Sequence, residues 1–136
     1  MDEQTTETRP AESPIKRYTI KRDGDRPLSF RGERIGEGNH GSGGTSGYKC
    51  DWNRGVCVRI YRRVVGGYVV TWYGWSCWQG EGSSYRATIC ATAADVVAAL
   101  RDEDGTIRRA EAEALADAAG SDDALDAVSV EDLDGE

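Results

Sequence analysis

Apolar and polar residues alternate with period two through much of the stretch from Arg17 to Ala91, then switch to a spacing of three and four after Thr92. The first pattern predicts half-buried strands, the second amphipathic helices. Tyr18 and Ile20 alternate with Arg17, Thr19 and Lys21, Asp23-Gly24-Asp25 supplies a turn, and Leu28 and Phe30 resume the alternation in a second strand ending near Ile35. Two runs rich in β-branched and aromatic residues, VRIYRRVV and YVVTWYGWS, flank Gly66-Gly67. That is the signature of a hairpin with a two-residue turn, which would pair Val65 with Tyr68. In that register Val58, Ile60, Val64, Val69, Tyr73 and Trp75 form a core face, interrupted only by Arg62 opposite Thr71. The other face carries Arg59, Tyr61, Arg63, Tyr68 and Trp72. Tyr85, Ala87, Ile89 and Ala91 mark a fifth strand.

Thr92 followed by Asp95 reads as a capping box opening a helix from about Ala93 to Arg101, with Ala93, Val96, Val97 and Leu100 as its apolar stripe. Asp104-Gly105 breaks it, and Thr106 is positioned to cap a second helix that runs to about Ala119 and stops at Gly120. The stripe of that helix, Ile107, Ala110, Ala114, Leu115 and Ala118, is mostly alanine and predicts weak docking. Ser121 starts a third short helix, Asp122 to Val128. The elements add up to the α+β class: about five antiparallel strands with two or three C-terminal helices. Residues 1–15 have no apolar period and read as a disordered acidic lead-in, residues 16–119 as one domain, and residues 120–136 as an acidic tail. Six glycines within residues 36–47 predict a mobile loop.

A chain of 136 residues suffices for one core. The net charge of −7 is divided unevenly. Residues 16–90 hold thirteen Lys or Arg against six acids, and residues 91–136 hold three Arg against fourteen acids. A basic β-rich body thus carries an acidic helical end. No apolar run approaches the roughly 20 residues that cross a bilayer, which predicts an intracellular, cytoplasmic protein without a membrane partner.

Catalytic chemistry finds little support. The glycine-rich stretch lacks the Lys-Ser or Lys-Thr of a phosphate loop and the helix that should follow it. His40, the single histidine, falls in that stretch without the packing a catalytic base needs. Cys50, Cys57, Cys77 and Cys90 lack the close C-x2-C spacing of structural zinc. Free thiols, a Cys50–Cys57 disulfide and a zinc site all stay open, free thiols leading for an intracellular chain. The expectation is no catalytic residue, no metal and no cofactor, with a small-molecule substrate disfavoured.

Binding chemistry is better represented. Arg59 and Arg63 beside Tyr61, Tyr68 and Trp72 combine phosphate-neutralising cations with stacking rings, which fits a nucleic acid or an acidic protein segment. The rival reading covers those rings with the C-terminal helices and lays arginine stems over them. Val-Arg-Ile-Tyr-Arg-Arg at 58–63, the glycine turn, Tyr68-Val69-Val70, a short helix and the Glu131-x-Leu133-Asp134 end together resemble the EXLDI family of small prokaryotic proteins. The likeness spans roughly residues 17–35 and 57–135, with Gly135 where that family has Ile. It implies a small accessory protein and no catalytic residue. The functional expectation is a non-enzymatic binding or regulatory module, its basic face open to ligand or covered by the acidic tail. The alternative is an adaptor whose Glu111, Glu113, Asp117, Asp122, Asp123 and Asp126 imitate a nucleic-acid backbone toward a basic partner.

Overall fold

A computed structural model describes residues 15–42, 54–76 and 82–131. Among the described residues five strands form one antiparallel sheet in sequential order: β1 (Lys16–Ile20), β2 (Leu28–Ser42), β3 (Arg54–Arg63), β4 (Tyr68–Ser76) and β5 (Ser84–Cys90). Three helices follow: α1 (Ala93–Leu100), α2 (Arg109–Ala119) and α3 (Asp123–Val128). The α+β class and the C-terminal placement of the helices agree with the periodicity. None of these helices is long and apolar enough to cross a membrane. The acidic lead-in, the Cys50 and Cys77 positions and the segment from Asp132 onward lie outside the described residues.

The hairpin register departs from the two-residue turn. Arg62 pairs with Tyr68, and the loop is Val64-Val65-Gly66, closed by Arg63 N–H donating to the Gly67 carbonyl at 2.9 Å and Gly66 N–H to the Arg63 carbonyl at 3.1 Å. Gly66 at φ 109° supplies the left-handed residue that such a three-residue turn requires. Alternation along each strand holds, but the pairing slips by an odd number of positions, so β4 is turned over relative to β3. Val58 and Ile60 face the helices together with Tyr68, Val70 and Trp72, whereas Arg59 and Tyr61 share the other surface with Val69, Thr71 and Tyr73. Val64, expected in the core, is 50% exposed at the turn.

The glycine-rich stretch is corrected over residues 36–42, while residues 43–47 lie outside the described residues. Residues 36–42 continue β2 and pair with β3 as far as Ser42 opposite Arg54, after a bulge between Arg34 and Gly36. The helix expected to dock weakly explains this. Ala110, Ala114 and Ala118 of α2, all buried, lie directly on Gly36 and Gly38. A Cβ at Gly36 would come within 2.5 Å of the Ala114 carbonyl oxygen, and one at Gly38 would run into that of Ala110. Small side chains on both partners let the backbones meet.

β1 pairs with β2 between Leu28 and Gly32, so among the described residues the lower half of β2 is an edge. Asp117 and Glu113 of α2 accept hydrogen bonds there from the Glu37 and Asn39 backbone N–H groups, at 3.0 and 3.2 Å. The helix therefore covers the sheet and also satisfies an otherwise open edge.

The opposite side of the sheet is not open either. The sheet curls until the turn after β1 meets the start of β5, where Asp23 N–H donates to the Tyr85 carbonyl and Tyr85 N–H to the Asp23 carboxylate, both at 2.9 Å. The enclosed space holds a second core of Phe30, Tyr61 and Val69, flanked by Tyr18, Ile20 and Leu28. The main core lies under the helices around Val58, Ile60, Val70, Val96 and Leu125.

The Thr92 capping box forms as the spacing predicts, Asp95 N–H donating to Thr92 Oγ1 at 3.1 Å and Thr92 N–H to Asp95 Oδ2 at 3.3 Å. Thr92→Ala should cost about 1 kcal/mol in urea unfolding, with Thr92→Ser near wild type. Equal midpoints for all three proteins would show that the cap contributes nothing. Thr106 does not cap α2. Its N–H is bound by Asp102 at 3.0 Å, and the helix begins only at Arg109, after Arg108 as N-cap.

Candidate functional site

The five residues expected on one ligand-binding face are divided among three environments. Tyr68 and Trp72 lie under the helices. Tyr68 donates its hydroxyl proton to Asp122 at 3.0 Å, and burial together with that carboxylate pushes its phenol up. Trp72 is 7% exposed, donates its indole N–H to Glu111 at 3.0 Å and carries the Arg86 guanidinium 3.9 Å above its ring. Both thus match the rival reading, rings covered by helices and an arginine. Tyr61 is 3% exposed inside the curl, its ring edge-on to Tyr18 at 4.7 Å and Phe30 at 5.4 Å. Burial pushes its phenol up against the pull of the adjacent Arg59 guanidinium.

Arg59 and Arg63 remain accessible, at opposite ends of the curled surface. Arg59 borders a groove of about 370 Å³ between the end of β1 and strands β3 to β5. Thr19, Lys21, Tyr61, Tyr73 and Tyr85 complete its working walls. Tyr73 and Tyr85 face each other across β4 and β5, ring centroids 5.2 Å apart and planes inclined by 33°. Lys21 Nζ stands 4.8 Å from the centre of the Tyr85 ring, a cation–π distance. Tyr73 is 38% exposed, which leaves ring surface for a ligand.

Arg59 belongs in turn to an ion cluster. Glu37 lies 3.4 Å from Arg59 Nε and 3.6 Å from Arg34, while Asn39 donates to its second oxygen at 3.2 Å. Burial raises the Glu37 pKa, but Asn39, Arg59 and Arg34 outweigh it and hold the carboxyl below its ordinary value. Arg59 Nε is shut off from solvent at ion-pair range of Glu37 yet out of line for a hydrogen bond. Its outer nitrogens carry whatever charge the groove presents. Cys57, 3.7 Å from Glu37, is a free buried thiol that burial pushes up and Glu37 pushes further, so it stays protonated at neutral pH. The free Cys90 thiol is pushed up to about 11 by burial and by Asp95. His40 is exposed on β2 opposite Val56. Among the described residues no three His, Cys, Asp or Glu side chains group to hold a metal ion.

Lys21, Tyr73 and Tyr85 were missed by sequence reasoning because the assumed register placed Tyr73 in the core. No local pattern signals the Tyr73–Tyr85 pair, which depends on the register between β4 and β5. Four of the six carboxylates assigned to nucleic-acid mimicry are engaged within the molecule: Glu111 with Trp72, Glu113 and Asp117 with the edge of β2, and Asp122 with Tyr68. Asp123 and Asp126 face solvent. Of the Glu131-x-Leu133-Asp134 segment only Glu131 is described. Compared with known proteins, the chain matches no family model, no curated protein and no solved structure.

Proposed function

We propose that the protein is a non-enzymatic binding module that takes single-stranded nucleic acid in the groove between β1 and β5. Support comes from one juxtaposition: an accessible tyrosine pair set between Lys21 and Arg59 in an open groove. Stacked bases need a π face, and the phosphates that follow them need cations at the rim. A volume of about 370 Å³ lies in the range that holds a small organic ligand and so accommodates a base with its sugar. The segregated charge of the chain favours approach from this side, because the helices opposite carry the acids. An acidic protein segment would satisfy the cations but leave the ring surfaces unused.

Fluorescence anisotropy with a labelled oligothymidylate at low salt tests the assignment. Affinity should fall as salt rises, and Tyr73→Ala should weaken binding about 5- to 100-fold, the range for one stacked base. Absence of binding, or an affinity indifferent to Tyr73→Ala in a protein with unchanged circular dichroism, sinks it.

A further inference from the structure

On the other flank of β1 a second cavity, of about 210 Å³, is lined by Arg17, Arg31, Arg63, Phe30, Val64 and Val65. Arg17 and Arg31 sit directly opposite each other in the β1–β2 ladder, an arrangement that costs energy for like charges. Arg17 is held by a hydrogen bond to Ser29 Oγ at 3.0 Å. Neither Arg31 nor Arg63 has an ion-pair partner among the described residues. Several other arginines are paired: Arg62 with Glu33 and Asp122, Arg59 and Arg34 with Glu37, and Arg22, in the turn after β1, with Asp25, while Arg86 lies over the Trp72 ring. Three guanidinium groups gathered without a carboxylate among the described residues suit an added anion, and arginine presents the donor fork that phosphate oxygens fit.

β1 joins this cluster to the groove. Arg17, Thr19 and Lys21 alternate along its exposed side, and Lys21 already stands over the groove ring Tyr85. Four residues of strand cover about 13 Å, a span of a few nucleotides. The loop valines, 50% and 79% exposed, occupy turn positions where polar residues are usual and add apolar surface beside the cations. A strand of apolar sugars and anionic phosphates matches that mixture.

We infer that Arg17, Arg31 and Arg63 form a phosphate-backbone anchor for the same single-stranded nucleic acid whose base stacks on Tyr73 and Tyr85. The bound strand then follows the outer side of β1, and the footprint exceeds the groove by several nucleotides. This rests on the groove being the base-stacking site.

The test compares oligothymidylates of about four and about fifteen nucleotides, close to the range of site sizes of single-strand-binding OB folds. Wild type, Tyr73→Ala and the double variant Arg31→Gln/Arg63→Gln are titrated across a salt series. For the longer probe the double variant should bind more weakly at low salt, and the slope of log K against log salt should flatten by about 1.4, two phosphates at about 0.7 each. For the short probe it should match wild type. Tyr73→Ala should weaken both probes and leave the slope intact. If Tyr73→Ala behaves so while the double variant keeps the wild-type slope, the anchor is wrong and the groove stands. If long-probe binding ignores Tyr73→Ala yet needs the arginines, the groove is wrong and so is a path shared with it. Equal loss on both probes in the double variant, or no binding of either probe to wild type, also overturns the anchor.

Discussion

Gly38→Val should lower the unfolding free energy by about 3 kcal/mol, and the midpoint of thermal unfolding by about 10 °C for a domain of this size. A side chain at Gly38 has nowhere to go, since its Cβ would meet the Ala110 carbonyl oxygen, the Ala114 backbone nitrogen and the Glu113 side chain. Two of those atoms belong to helix backbone and cannot rotate away. The sign of the smaller substitution discriminates. Removing backbone freedom from the unfolded chain makes Gly→Ala stabilising by about 0.4–1 kcal/mol wherever the native site tolerates a methyl group. Gly38→Ala should instead destabilise, because the helix must be lifted off the strand and the bonds from the edge of β2 to Glu113 and Asp117 stretched with it. An alanine variant that melts at or above wild type would show that α2 does not lie this close to β2.

Asp122→Ala is the second large effect, expected at about 3 kcal/mol in denaturant unfolding. Asp122 is 7% exposed and caps α3 by accepting from Leu125 N–H at 2.9 Å. It also accepts the Tyr68 hydroxyl at 3.0 Å and the Arg62 guanidinium at 3.0 Å, and Arg62 continues to Glu33 at 2.9 Å. Truncation uncaps the helix, strands a buried phenol and deprives Arg62 of one of its two carboxylates. Asp122→Asn retains an oxygen for the cap and should cost less.

The same group predicts a pH dependence. Burial raises the Asp122 pKa, but the Leu125 N–H, Arg62 and the Tyr68 hydroxyl outweigh it and hold the carboxyl below its ordinary value. A carboxyl depressed on folding contributes stability that is complete above its unfolded pKa, near 3.9, and lost as pH falls through the folded value. The difference in stability between wild type and Asp122→Asn should therefore be constant near neutrality and shrink below about pH 4. A gap that stays constant to pH 2 would show that the ionised carboxylate is not what binds α3 to the sheet.

Strand alternation, the Thr92 capping box, the position of α3 and the segregation of charge were legible because each is a local pattern. A half-buried strand writes its period into consecutive residues, and a cap needs only a side chain three residues from its partner. The candidate site was legible in part. Arg59 and Arg63 could be recognised as accessible cations, but Tyr61, Tyr68 and Trp72 had an aromatic character that periodicity cannot sort into buried or open.

Cross-strand pairing belongs to two segments at once, and Gly66-Gly67 is compatible with loops of two or three residues. Either loop places apolar side chains on both surfaces of the hairpin. Only the helices on one side and the curled β1 on the other choose between them, and that choice buries Trp72 and exposes Tyr73. Gly36 and Gly38 have no side chain whose pattern could announce a strand. Their conformation is decided by the alanine face of α2, some seventy residues further along the chain.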